Sequence, residues 1–187
     1  MKYSQEIFVN QFPIVKGFVY HLTYYRCLHN GYSSADFLSE FWTHTIDAHL
    51  LQATINWCKV FGSDGCNDIH WKRLNLDEQN ELKDSFLKGL SATCGISSEE
   101  FKGYWNEITD FRNKFVAHTE IGFTAPVPSF DKALQVAFYY DRWIRKVIRP
   151  DHLAEGDLKL FAGNLIKKIE EPLATVIASS KTMLKGI

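Results

Sequence analysis

Apolar residues recur at intervals of three and four through most of this chain, and runs that alternate apolar with polar residues are nearly absent. That spacing puts the apolar groups on one side of an α-helix and leaves a β-sheet without a face to bury, so the chain is expected to be all-α. At 187 residues with 45% hydrophobic content it fits a single domain spanning 1–187, with no repeat, low-complexity tract or linker to divide it. Fourteen Phe and five Trp make a packed core the expectation.

Helix signals place the elements. Segment 11–29 opens the bundle, Asn30-Gly31 is expected to break it, and Ser33 or Ser34 can cap a second helix. Phe37, Phe41, Ile46, Leu50 and Trp57 give that helix an apolar side up to about Val60, a length of about six turns. The Gly, Ser, Asp and Asn density of 61–68 reads as a loop, followed by a short element, Ile69-His70-Trp71, pinned by its aromatic. A third helix is expected over 77–92, ended by Gly95, and Ser97-Ser98-Glu99-Glu100 supplies a capping box for a fourth. Phe101, Tyr104, Trp105, Ile108, Phe111 and Phe115 share one stripe of it. The pattern stops after His118. Residues 119–129 read as a loop, and 130–148 and 155–183 as two more helices separated by Pro150.

The net charge of −1 provides no global positive field for nucleic acid, so any such contact must be local. Cys27, Cys58, Cys66 and Cys94 form no CxxC pair, and the first residues lack a charged-apolar-small leader pattern, so free thiols in a reducing cytoplasm are the expectation. No run reaches the roughly 18 apolar residues that a membrane-spanning helix needs, and no membrane partner is expected.

The fourth helix ends in Asp110-Phe111-Arg112-Asn113-Lys114-Phe115-Val116-Ala117-His118. Arginine presents a fixed fork of donors suited to phosphate oxygens, and histidine exchanges protons near neutral pH. Metal-free RNA cleavage needs a base for the 2′-hydroxyl, an acid for the leaving oxygen and a cation at the phosphorus, roles open to His118 and Arg112 with Asn113 orienting one of them. On an ideal helix a six-residue step turns about 600°, leaving Arg112 and His118 about 120° apart with a rise of about 9 Å. Either the arginine arches over, or the helix loosens before Thr119, or two copies of the helix face each other across a two-fold axis to form one pocket.

Arg-Asn-Lys-x-x-Ala-His resembles the R-x(4–6)-H signature of HEPN (higher eukaryotes and prokaryotes nucleotide-binding) domains. The wider context, Trp57-Cys58-Lys59-Val60-Phe61-Gly62-Ser63-Asp64 and His70-Trp71-Lys72, is similar to the AbiU-like branch linked by name to abortive phage infection. The resemblance covers roughly residues 40–120. It implies a bundle of four to five core helices, here with extra helices, commonly a two-fold homodimer, with metal-independent RNase activity in active members. By matching position Arg112, Asn113 and His118 inherit the catalytic roles, RNA is the implied substrate and an antitoxin protein a possible controller, while a part for Asp110 or Glu120 is left open. The alternative is a non-catalytic module that binds a nucleotide or a protein. No cofactor or metal ligand is assigned.

Other groupings have simpler readings. Asp36, Glu40, His44 and Asp47 share a stripe that would suit a metal inside a bundle, but a matching Glu-x-x-His on another helix is missing, so a solvated face is expected. Cys58, Cys66 and His70 fit no common zinc spacing. Trp57, Phe61, Trp71 and Trp105 are expected in the core ahead of stacking on bases. Arg142, Arg145, Lys146, Arg149 and Lys167-Lys168 are read as solvated, helix-compensating charge ahead of an RNA-tracking rim.

Overall fold

The structure, a computed structural model, describes residues 3–35, 37–75, 78–118, 121–122, 124–150, 153 and 156–185, with side chains up to 182. The all-α expectation holds, with no strand among the described residues: α1 (Gln5–Ser33), α2 (Glu40–Phe61), α3 (Gln79–Cys94), α4 (Ser98–Phe111), α5 (Asp131–Trp143) and α6 (Leu158–Lys185). A 3-10 turn covers Trp71–Leu74, and π-helical stretches extend α4 over Arg112–Ala117 and α5 over Ile144–Ile148. No helix among the described residues is long and apolar enough to cross a membrane.

Helix α1 runs straight through Pro13 and through the expected break at Asn30-Gly31. Its Phe8, Phe12, Val15, Phe18, Val19 and Leu22 are buried, and that burial outweighs the helix-breaking preference of two residues. Gly31 has a packing reason instead: a Cβ there would lie 3.1 Å from Ile177 and 3.2 Å from Leu173, so its bare backbone lets α6 close onto α1. The second helix therefore starts later than expected. The link folds back under Tyr32, whose hydroxyl accepts from the Ser39 N–H at 2.7 Å, and α2 begins at Glu40.

The main core joins α1 to Leu50, Ala53, Trp57 and Phe61 of α2, Leu82, Phe86 and Leu90 of α3, Tyr104 and Ile108 of α4, and Ala133, Val136, Ala137 and Tyr140 of α5. Buried Gln11 ties three parts of it together, accepting from the Tyr140 hydroxyl and donating to the Ile69 carbonyl at 3.0 Å. A smaller cluster of Leu28, Trp42 and Ile46 meets Leu173 and Ile177 of α6.

The remaining punctuation signals read as expected. Gly95 ends α3 in the left-handed region, at φ 67°. The Ser97/Glu100 capping box is formed in both directions, at 3.2 and 2.9 Å. Trp71 is buried and opens the 3-10 turn, its ring tilted against that of Phe86 with centroids 4.3 Å apart.

Candidate functional site

Helix α4 is anchored at both ends of its buried stripe. Tyr104 is buried and donates to the Ser129 carbonyl at 2.8 Å, while Ile108 and Phe111 enter the core. At Arg112 the helix widens from α to π, with the Arg112 N–H shared between the carbonyls of Ile108 and Thr109. The widened turn runs to Ala117, and His118 leaves the helix in extended conformation (φ −133°, ψ 151°). A π turn spans one more residue per hydrogen bond than an α turn, so side chains after Arg112 fall behind the α register. Phe115 is affected first. Expected on the buried stripe, it is 53% exposed, although its ring still stacks on Phe111 with centroids 5.2 Å apart.

Arg112 is half-buried, its guanidinium lying beside the Cys58 thiol of α2. Burial pushes that thiol up to about 11, opposed by the Arg112 charge and hydrogen bond. Arg112 Nε is buried and has no hydrogen-bond partner among the described residues. Asn113 and His118 are exposed, and Lys114 pairs with Asp110 at 3.6 Å. The arginine thus turns inward while the amide and the imidazole face out. Among the described residues no hydrogen bond joins Arg112, Asn113 and His118 to one another. Of the three geometries open to the sequence, loosening of the helix before residue 119 is present, but it does not bond the pair within one chain. Glu120 lies outside the described residues.

The sequence alone does not mark Cys58 as the neighbour of Arg112. The signal was available, since Trp57-Cys58 belongs to the string whose resemblance accompanies the motif, but only the packing of α2 on the π turn shows which of its residues meets the arginine.

The loop before the 3-10 turn is held by His70. Its Nδ1 accepts from the Lys72 N–H at 3.3 Å and its Nε2 donates to the Gly62 carbonyl at 3.1 Å, which uses both ring nitrogens. Burial first, and the Lys72 charge second, push this histidine down to about 4. His70 is therefore a neutral structural group, and with Cys58 buried and Cys66 exposed the three do not form a metal site. Glu40, His44 and Asp47 are exposed on α2, the solvated face expected of them; Asp36 lies outside the described residues. Trp57, Phe61 and Trp71 are core residues, and Trp105 is half-buried.

The basic stretch at the end of α5 and along its π-helical extension is largely engaged by the fold. Arg145 bonds Asp141 at 3.0 Å and the Gly156 carbonyl at 2.9 Å, Arg142 approaches the Cys94 sulfur at 3.8 Å, and Arg149 donates to the Lys146 carbonyl at 2.9 Å. A 310 Å³ cleft beside the N-terminal half of α4, walled by Phe61, His70, Lys72, Lys83, Lys102 and Trp105, includes none of Arg112, Asn113 and His118. Compared with protein-family models, with curated proteins and with solved structures, the chain matches none.

Proposed function

We propose that this chain is a metal-independent endoribonuclease of the HEPN type, acting in the cytoplasm as a toxin or in phage defence. Arg112, Asn113 and His118 form its reacting set in the cleft of a two-fold homodimer. The observation that carries the reading is the π-helical turn, which begins at Arg112 and delivers His118, exposed, at its end. Departures from α geometry of this kind concentrate at functional sites.

The chemistry fits a paired arrangement. The RNA 2′-oxygen attacks phosphorus and the bond to the 5′-oxygen breaks, so one proton must be removed and another delivered. Two copies of the chain supply two His118 side chains, one for each transfer, which a single chain lacks at this site. Arg112 would neutralise the crowded phosphate and Asn113 would orient the arginine or a histidine. The buried, unpartnered Arg112 Nε supports a turn outward onto phosphate, because a buried donor without an acceptor costs about 1–3 kcal/mol. The exposed Phe115 and Ile121, 53% and 99% accessible, offer apolar surface next to the motif for a second copy to cover.

A non-catalytic module is the second reading, and the inward-facing Arg112 beside Cys58 favours it, since that is a position a purely structural arginine can hold. RNA cleavage in the presence of a chelator separates the two. The proposal expects cleavage by the parent and a loss of about 100-fold or more in Arg112→Ala and His118→Ala. Equal cleavage by parent and variants would remove the assigned roles, and binding without turnover would establish the second reading.

A further inference from the structure

His21 of α1 and His49 of α2 meet across the helix pair with their Nδ1 atoms 3.0 Å apart. The rings are half-buried, and burial holds both below the ordinary histidine range, with His49 lowered further by His21 itself. Both are therefore neutral at pH 7, the state in which imidazole nitrogen is a ligand. Tyr24 stacks on His49 with centroids 5.0 Å apart and 13° between planes, and Tyr20 meets His21 edge-on at 5.4 Å, so aromatic contacts hold each ring in place. The pair opens onto a surface groove that also includes Phe41, His44, Thr45 and Gln52.

We propose that His21 and His49 form a two-nitrogen chelate for a divalent copper or nickel ion at this groove. With metal–nitrogen bonds of roughly 2.05 Å, a 3.0 Å separation gives a bite angle of about 94°, whereas a tetrahedral zinc angle needs about 3.3 Å. The observed spacing suits the right angle of a tetragonal site, which copper(II) and nickel(II) favour. No third His, Cys, Asp or Glu completes a ligand group among the described residues, so water takes the remaining positions. Binding moves the proton shared by the two Nδ1 atoms to the bare Nε2 of the donating ring, leaving both rings neutral and releasing no net proton. The ion would bridge α1 to α2, and a ligand that binds only the folded state raises the melting temperature.

The test is calorimetric titration of the full chain with Ni²⁺, Mg²⁺ as control, together with the melting temperature in each. The expected result is one Ni²⁺ per chain and a higher melting temperature with Ni²⁺ alone. In His21→Gln and in His49→Gln affinity falls by roughly tenfold or more, with the circular dichroism of the helices unchanged, while His118→Gln binds as the parent does. Absence of binding by the parent, or unchanged affinity in both glutamine variants, overturns the assignment. Since His118 is not a ligand here, failure of the RNase reading would leave this result untouched.

Discussion

Arg112 sits where two demands on one side chain conflict. It packs beside a buried thiol with one donor unsatisfied, and the proposed reaction asks it to leave that position for a phosphate. Residues kept for function at the expense of stability show the trade when they are replaced by an apolar group of similar length. Arg112→Met is expected to leave the free energy of urea unfolding unchanged or raised by up to about 1 kcal/mol, while abolishing cleavage. A purely structural arginine would give the opposite pattern. His70 makes a second prediction at this scale. Its folded value lies near 4 and its unfolded value near 6.5, so the unfolded chain binds more protons between these limits. Stability from this group is complete above about pH 6.5 and is lost as the pH falls toward 4, by about 3 kcal/mol. Urea midpoints measured from pH 7 to pH 4 should fall in the parent, and less steeply in His70→Gln. The residue types of the candidate site were legible in the string 110–118, because arginine, amide and histidine carry their chemistry in their identity. Their orientations were not, since Arg112 faces inward through a neighbour 54 positions away.

At the scale of elements, what could be read from the sequence depended on whether a signal was local. The capping box at Ser97 and the left-handed Gly95 act within a few residues of themselves, and both are where the spacing puts them. Gly95→Ala is expected to cost about 1 kcal/mol, read from thermal unfolding, since alanine resists the φ of 67°. Asn30-Gly31 misled because its conformation is decided by α6, more than a hundred residues downstream, which packs on the glycine face. The π turn was equally hidden: nothing in the spacing of Phe111 and Phe115 distinguishes an α step from a widened one. Asp141 shows the same dependence. Fully buried, it accepts from Arg145 Nε at 3.0 Å and from the Leu158 N–H at 3.0 Å, fastening the start of α6 to α5. Asp141→Ala should destabilise by about 3 kcal/mol, seen as a lower urea midpoint, because it strips a partner from two donors at once.

For the molecule as a whole, the apolar period of three and four determined the class, and an all-α bundle with a core shared by six helices is its consequence. How two such bundles would meet is a separate matter, set by surface. Phe115 and Ile121 lie exposed on either side of His118, and if they form the proposed dimer face, Phe115→Asp together with Ile121→Asp should convert a dimer to a monomer in light scattering and remove cleavage with it. The most direct measurement mixes an active chain with an inactive one. When parent and His118→Ala chains are unfolded together in equal amounts, refolded and given RNA with chelator present, about half of the dimers are mixed and hold a single His118. The proposed composite site needs both histidines, so it predicts cleavage at about a quarter of the level of the same total amount of parent chain alone, from the dimers with two parent chains. Cleavage at about half that level of parent alone, as expected of chains that each act alone, would contradict it.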